Sequence, residues 1–339
     1  MLWNRSADSE SAPGMQITRE RLDHLAAALI EAGFTVADAN CEDDPDRIGH
    51  AVVVARPTFI FNLVDHFYGD NTQHPAVAGL LDLFGYQYTG SDPLCLSTCM
   101  DRARTRLILQ DGGVPVPGFA VVRDVNTIPP TDDVEPPFIV SQALDDIYHL
   151  HSARAELTDR DQVETRTCEL AAEFEMPLLI EEYVAGRRIS AIAIGNRVLD
   201  VLPLCETVRD GENSADQVVI AQLDVDAAGR VRELARQAFR VMGCRDLAKV
   251  DFVVTDAGYV LCTDVRPSVD VLSEAAAFHV AAENTELGYD GAVAAVARCT
   301  YDRVPLTERP QPPPLAAPAD QNEAPAGENE AAGERDDVR

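Results

Sequence analysis

Ala248-Lys249-Val250-Asp251-Phe252-Val253-Val254 is followed by Asp256-Ala257-Gly258 and then by Tyr259-Val260-Leu261-Cys262-Thr263-Asp264-Val265-Arg266-Pro267. Two β-branched, apolar runs joined by a glycine-containing turn predict a β-hairpin. Side chains alternate along a strand, so Lys249, Asp251 and Val253 share one face and Asp264 approaches from the neighbouring strand. Two carboxylates converging on a cleft of phosphate size provide the hard oxygen ligands that Mg²⁺ takes, with phosphate completing its shell. An ordinary hairpin with acids on its wet face has the same spacing, so the pattern alone leaves both readings open.

Outward from the hairpin, composition limits what the chain can be. Its 339 residues are 46% apolar with one tryptophan, enough for a sizeable core divided into two or three subdomains. The 28 basic and 57 acidic residues give a net charge of −29, which repels nucleic acid and anionic membrane, so neither is an expected partner. Lys249 is the only lysine and therefore the only ammonium available to a site. The eight cysteines form no paired CxxC set, which predicts reduced, mostly buried thiols. Cys95 and Cys99 share a helix face at i, i+4, yet two thiols without histidine partners make a poor metal site. No basic leader followed by an apolar core occurs, nor any run approaching 18 apolar residues, and the expected location is cytoplasmic.

Residues 1–4 predict a short strand. Leu22, Leu25, Ala26, Leu29 and Ile30 recur at helical spacing up to Gly33. A strand over Thr58 to Leu63 and a helix from Pro75 to Gly85 continue a βαβ rhythm and hence a parallel sheet. Asp101 caps a helix to about Gln110, and Val114-Pro115-Val116-Pro117 links to a second region. There the pattern predicts a strand at 138–143, a helix near 159–174, strands at 178–184 and 189–205, a helix near 228–242, the hairpin, and two C-terminal helices. The segment 305–339 shifts to Pro, Ala, Glu and Asp without periodicity and reads as a disordered acidic tail.

From about residue 17 to 300 the chain resembles the D-alanine–D-alanine ligase group of the ATP-grasp superfamily. The resemblance rests on Phe61-Asn62-Leu63, Gly79 to Ser91, Met100 to Arg106, Gly113 to Pro117, Leu179 to Arg187 and Gly243 to Phe252. It implies a mixed α/β and α+β ATP-grasp fold. An N-terminal α/β subdomain (1–93), a small central subdomain (94–184) and a C-terminal subdomain (185–304) would enclose a nucleotide cleft. It also implies ATP-dependent carbon–nitrogen ligation of an amino acid or peptide through an acyl phosphate, with ATP and Mg²⁺ as cofactors. Carried over by motif, Glu181, Glu182, Tyr183 and Val184 would form the adenine hinge, Arg102 a phosphate-side cation, Asp251 and Asp264 the Mg²⁺ ligands, and Lys249 the catalytic cation beside the reacting carbonyl. Both a homodimer and a heterodimer with an active paralogue stay open.

The chain also departs from that pattern. Ser141 stands at the position of a phosphate-binding lysine, and the loop that closes over nucleotide reads Asp145-Asp146-Ile147-Tyr148-His149-Leu150-His151 instead of small residues. Asp264-Val265-Arg266 replaces a Glu, spacer, Asn pattern, and a guanidinium cannot ligate Mg²⁺. Arg188 stands where an acid would hold ribose hydroxyls, and the loop from Glu206 to Val218 carries no lysine. Three functions therefore compete: a ligase with weakened phosphate and metal sites, a non-catalytic relative that binds a partner or small acid, and a regulator using Arg102, Lys249 and Arg266 as an anion site. Arg266 is expected to bridge to Asp251 or Asp264.

Overall fold

A computed structural model describes residues 1–4, 17–130, 134–144, 157–174, 176–208, 216–305 and 307. In chain order the elements are β1 (Leu2–Trp3), α1 (Arg19–Glu31), β2 (Ala39–Asn40), α2 (Pro45–Ala55), α3 (His74–Leu83), α4 (Pro93–Met100), α5 (Arg102–Asp111), β3 (Phe119–Val122) and β4 (Phe138–Gln142). There follow α6 (Arg160–Glu173), β5 (Leu178–Glu182), β6 (Arg187–Gly195), β7 (Leu199–Val201), β8 (Cys205–Val208), β9 (Gln217–Ile220), α7 (Val225–Val241), β10 (Asp246–Val254), β11 (Val260–Arg266), α8 (Ala277–Glu283) and α9 (Gly288–Arg303).

Helix ends follow local capping chemistry. Thr18, Asp44, Asp92, Asp101, Asp159 and Asp224 each accept a backbone N–H of the first turn of α1, α2, α4, α5, α6 and α7. Pro45 and Pro93 stand at the first positions of α2 and α4, where a missing N–H costs nothing.

Among the described residues, three sheets result. β1 and β2 pair in parallel, β3, β5 and β4 form an antiparallel sheet with β5 central, and the largest runs β11-β10-β6-β8-β9 with β7 also on β6. The β10–β11 hairpin forms as predicted, with Asp251 directly opposite Asp264 and Lys249 opposite Arg266. Alternation sorts the large sheet's side chains. Ile189, Ala191, Ala193, Ala248, Val250, Phe252 and Val254 pack beneath α7, together with Cys95, Cys99 and Leu109 of α4 and α5. On the other face, Ile192, Ile194 and Leu247 pack against α8, α9 and α1. Further along the Leu247 face, Lys249, Asp251 and Val253 are only half-buried, so an uncovered end of β10 is left to line a cleft.

Two expected strands differ. Thr58 to Leu63 makes only the single parallel bridges Leu2–Asn62 and Ile60–Tyr88. Asn62 N–H donates to the Thr89 hydroxyl at 2.8 Å, a side-chain partner that interrupts the ladder. The parallel sheet read from the βαβ rhythm is thus reduced to β1, β2 and these bridges. The 189–205 segment is not one strand but β6, β7 and the first residue of β8; the first break comes where Gly195 adopts φ 130° and any Cβ would sit 2.0 Å from the Val198 carbonyl. The chain turns there and β7 folds back on β6, Ala193 opposite Val201. The helix α2 and strands β3 and β9 were not anticipated. The expectations for 145–151, for most of the 206–218 loop and for the tail beyond 307 lie outside the described residues.

Candidate functional site

β5 belongs to the small sheet and β6 to the large one, and only Tyr183-Val184-Ala185-Gly186 joins them. Two sheets meeting at so short a connection leave a cleft, and a cavity of about 300 Å³ lies there. Arg102, Glu181, Glu182, Tyr183, Val184, Lys249, Asp251, Asp264 and Arg266 all line it. The residues singled out from sequence thus converge on one cavity.

Within it, charges are paired with each other. Lys249 Nζ lies 2.9 Å from Asp251 Oδ2, and Ser190 Oγ donates to Asp251 Oδ1 at 2.5 Å. Ser190 is placed by register, directly across from Asp251 on β6. Arg266 Nε donates to Asp264 Oδ2 at 2.6 Å and stands 3.9 Å from Asp251 Oδ2, as expected of it. Asp264 Oδ1 accepts the Val265 N–H at 2.8 Å. The hairpin therefore presents a closed cation–carboxylate ladder.

A second group sits on the small-sheet side. Arg102 Nη1 donates to Ser141 Oγ at 2.8 Å and its Nη2 pairs with Glu181 Oε2. Arg106, one helical turn on, gives Glu181 Oε1 two hydrogen bonds of 3.1 and 2.7 Å from Nε and Nη2. α5 is opened by its capping residue Asp101 and fixed against the small sheet by the Arg102 N–H, which donates to the Ala143 carbonyl at 2.8 Å. Glu182 instead turns to the Gly118 N–H, 3.1 Å from its Oε2.

Burial pushes the Glu181 carboxyl up, but the charges and hydrogen bonds of Arg102 and Arg106 outweigh it and hold the group below the usual carboxylate range. Burial likewise opposes ionisation of Asp264, and Arg266, then Arg102 and Arg106, overcome it, so it too lies below its ordinary value. Both acids are ionised at neutral pH, and neither is a proton donor.

The two carboxylates that the resemblance assigns to Mg²⁺ have protein partners of their own. Each oxygen of Asp251 and Asp264 is already engaged by a cation, a hydroxyl or an N–H. Arg266 also lies between the two carboxylates that an octahedral ion would have to share, and offers it donors only. Arg106 and Ser190 escaped the sequence reading. Their signals were the i, i+4 spacing from Arg102 on a capped helix and the cross-strand register of β6, which no single strand discloses.

Residues 156–290 match the family model described as "D-ala D-ala ligase C-terminus". The D-alanine–D-alanine ligase of Sodalis glossinidius is 28% identical over 267 residues, covering 72% of each chain. That of Desulforudis audaxviator is 26% identical over 303 residues, covering 82% of this chain and 92% of its own. The crystal structure of Bacillus anthracis D-alanine–D-alanine ligase complexed with ATP superposes with a TM-score of 0.69 at 17% identity, covering 89% of this chain and 97% of that one. At this identity the structural likeness is one of fold, and it joins the sequence matches in one conclusion: the chain is similar in sequence to D-alanine–D-alanine ligases and shares their ATP-grasp fold.

Proposed function

We propose that this protein is an ATP-dependent carboxylate–amine ligase scaffold whose phosphate and metal sites have been weakened by internal ion pairing. The observation that carries the proposal is the pairing of Arg266 with Asp264 at 2.6 Å inside the cavity, where the resemblance would place metal ligands. In this reading residues 1–93, 94–184 and 185–304 are the three subdomains of a cytoplasmic protein. Glu182, Tyr183 and Val184 would line the adenine, and Glu181 would hold Arg102 and Arg106 in place behind the hinge. Lys249 would be the cation nearest the reacting carbonyl, its charge tempered by Asp251. A small amino acid or peptide is the substrate class that the relatives' names support.

Phosphoryl transfer needs cations whose charge is available to the γ-phosphate. A guanidinium can hold a phosphate bidentately without a metal, which supports an ATP site with little need of Mg²⁺. Loss of one preorganised charge-stabilising group typically costs 10²–10³ in rate. Isothermal titration with ATP, with and without Mg²⁺, tests the reading. The expected affinities differ by less than tenfold, about 1.4 kcal/mol, and phosphate release with D-alanine stays well below ~1 s⁻¹. Strict Mg²⁺ dependence with turnover at or above that rate would overturn it.

A second reading, a non-catalytic binder of a small acid or partner, is favoured by the complete pairing of Lys249, Asp251, Asp264 and Arg266. ATP or amino-acid binding with no phosphate release above background would select it.

A further inference from the structure

Cys95 and Cys99 lie one turn apart on α4, and the fold brings Cys244 to them from the turn between α7 and β10, 149 positions from Cys95. Cys95 Sγ donates to Cys244 Sγ at 3.8 Å, and all three sulfurs lie within 4.8 Å of one another. The residues are 4%, 5% and 8% exposed, and none lines the nucleotide cavity. A purely packing role asks only for small apolar volume here and does not require three thiols to face one point.

We propose that Cys95, Cys99 and Cys244 form a closed trithiolate site for a soft, low-coordinate cation of the Cu(I) type. With metal–sulfur bonds of about 2.3 Å, three sulfurs around one ion stand ~4 Å apart; here one pair stands at 3.8 Å and all three lie within 4.8 Å. Soft thiolates select Cu(I), zinc or iron–sulfur chemistry. A structural zinc ion needs four ligands, and no further His, Cys, Asp or Glu joins the trio among the described residues. Three sulfurs in a buried pocket satisfy Cu(I), which accepts fewer. Cys95 also occupies the third position of α4, where backbone N–H groups and the helix dipole favour a thiolate. Loading is a displacement: metal–sulfur bonds form, thiol protons pass to solvent, and the metal keeps its oxidation state. The bound ion would tie α4 to the start of β10. The sequence disclosed only the Cys95 and Cys99 pair, because the third ligand is supplied by folding.

The test uses the full-length protein, reduced and anaerobic, titrated with Cu(I) supplied as its acetonitrile complex in competition with a chromogenic Cu(I) chelator. One Cu(I) per chain is expected, with X-ray absorption reporting three sulfur neighbours at about 2.3 Å. Cys244→Ser and Cys99→Ala should each lower the affinity at least tenfold, while Cys168→Ser, on the surface, should not. The wild-type X-ray absorption decides the matter even if a core variant fails to fold. No Cu(I) retained against the chelator, fewer than three sulfur neighbours, unchanged affinity in a folded Cys244→Ser or Cys99→Ala, or tighter retention of zinc than of Cu(I) would each overturn the proposal.

Discussion

Asp246 begins β10 with no exposed surface and in the left-handed region, φ 62°. Its carboxylate accepts the Gly90 N–H at 3.1 Å, Asn196 Nδ2 at 2.8 Å, Thr300 Oγ1 at 3.0 Å, and Arg303 from both Nε and Nη2. One side chain thus gathers the N-terminal region, the β6–β7 turn and α9 at the strand that carries Lys249 and Asp251. Asparagine tolerates the same backbone region, so Asp246→Asn isolates the charge. Removing one partner of a buried ion pair costs about 3–5 kcal/mol, and urea denaturation should show that loss with an unchanged slope. In the cavity, Ser141→Lys together with Arg266→Asn should restore Mg²⁺-dependent ATP binding by more than the two single changes combined, since both act on one cluster. Titration calorimetry on the four proteins reads that coupling. Glu181 and Asp264 give a pH signature. Both are depressed in the folded state, so their contribution is full above the ordinary carboxylate range and is lost as pH falls through their folded values. Thermal melts should therefore drop steeply on acidification below about pH 4, and less steeply in Arg106→Met. The acids and cations of the hairpin were legible because strand alternation fixes their face. Arg106 and Asp246 were not, since their partners come from positions remote in the chain.

Elements were legible where a local signal and the tertiary demand agreed. Asp101 and the Gly112-Gly113 stop delimit α5, and the glycine turn delimits the β10–β11 hairpin. They were illegible where a single residue overrides the pattern, as Gly195 does in splitting β6 from β7 and as the Thr89 hydroxyl does in breaking the Thr58 to Leu63 ladder. The hinge depends on another such residue. A Cβ on Gly186 would meet the Val254 carbonyl oxygen at 2.5 Å, and backbone cannot yield as a flexible side chain does. Gly186→Ala should force β6 away from the end of β10, at a cost of roughly 1–3 kcal/mol, and weaken nucleotide binding. Calorimetry and a thermal melt on the same variant check both. Gly113→Ala, whose Cβ would come no nearer than 3.4 Å to the flexible end of Gln237, provides a comparison away from the hinge that meets backbone strain without a carbonyl clash.

Across the whole molecule, the net charge of −29 contrasts with a balanced cavity. There Arg102, Arg106, Arg188, Lys249 and Arg266 face Glu181, Glu182, Asp216, Asp251 and Asp264. The surplus acid lies outside the cavity. Raising salt from 10 to 150 mM shortens the Debye length from about 30 to about 8 Å, so the melting temperature should rise with salt while the half-buried cavity pairs hold. Scanning calorimetry across that range checks it, and a melting temperature that falls would place the dominant charge interactions in attractive pairs. Lys249 has one more consequence. An endoprotease that cuts only after lysine has a single target bond in this chain, Lys249–Val250, in a strand held between β6 and β11. The peptide can enter a protease only when the large sheet opens, so with cleavage slow against reclosing the rate of one nick counts the opened fraction. Lys249→Arg leaves nothing to cut. The solitary lysine thus makes the protein its own strain gauge: any ligand that clamps the sheet, whatever its chemistry, announces itself as a slower appearance of two fragments.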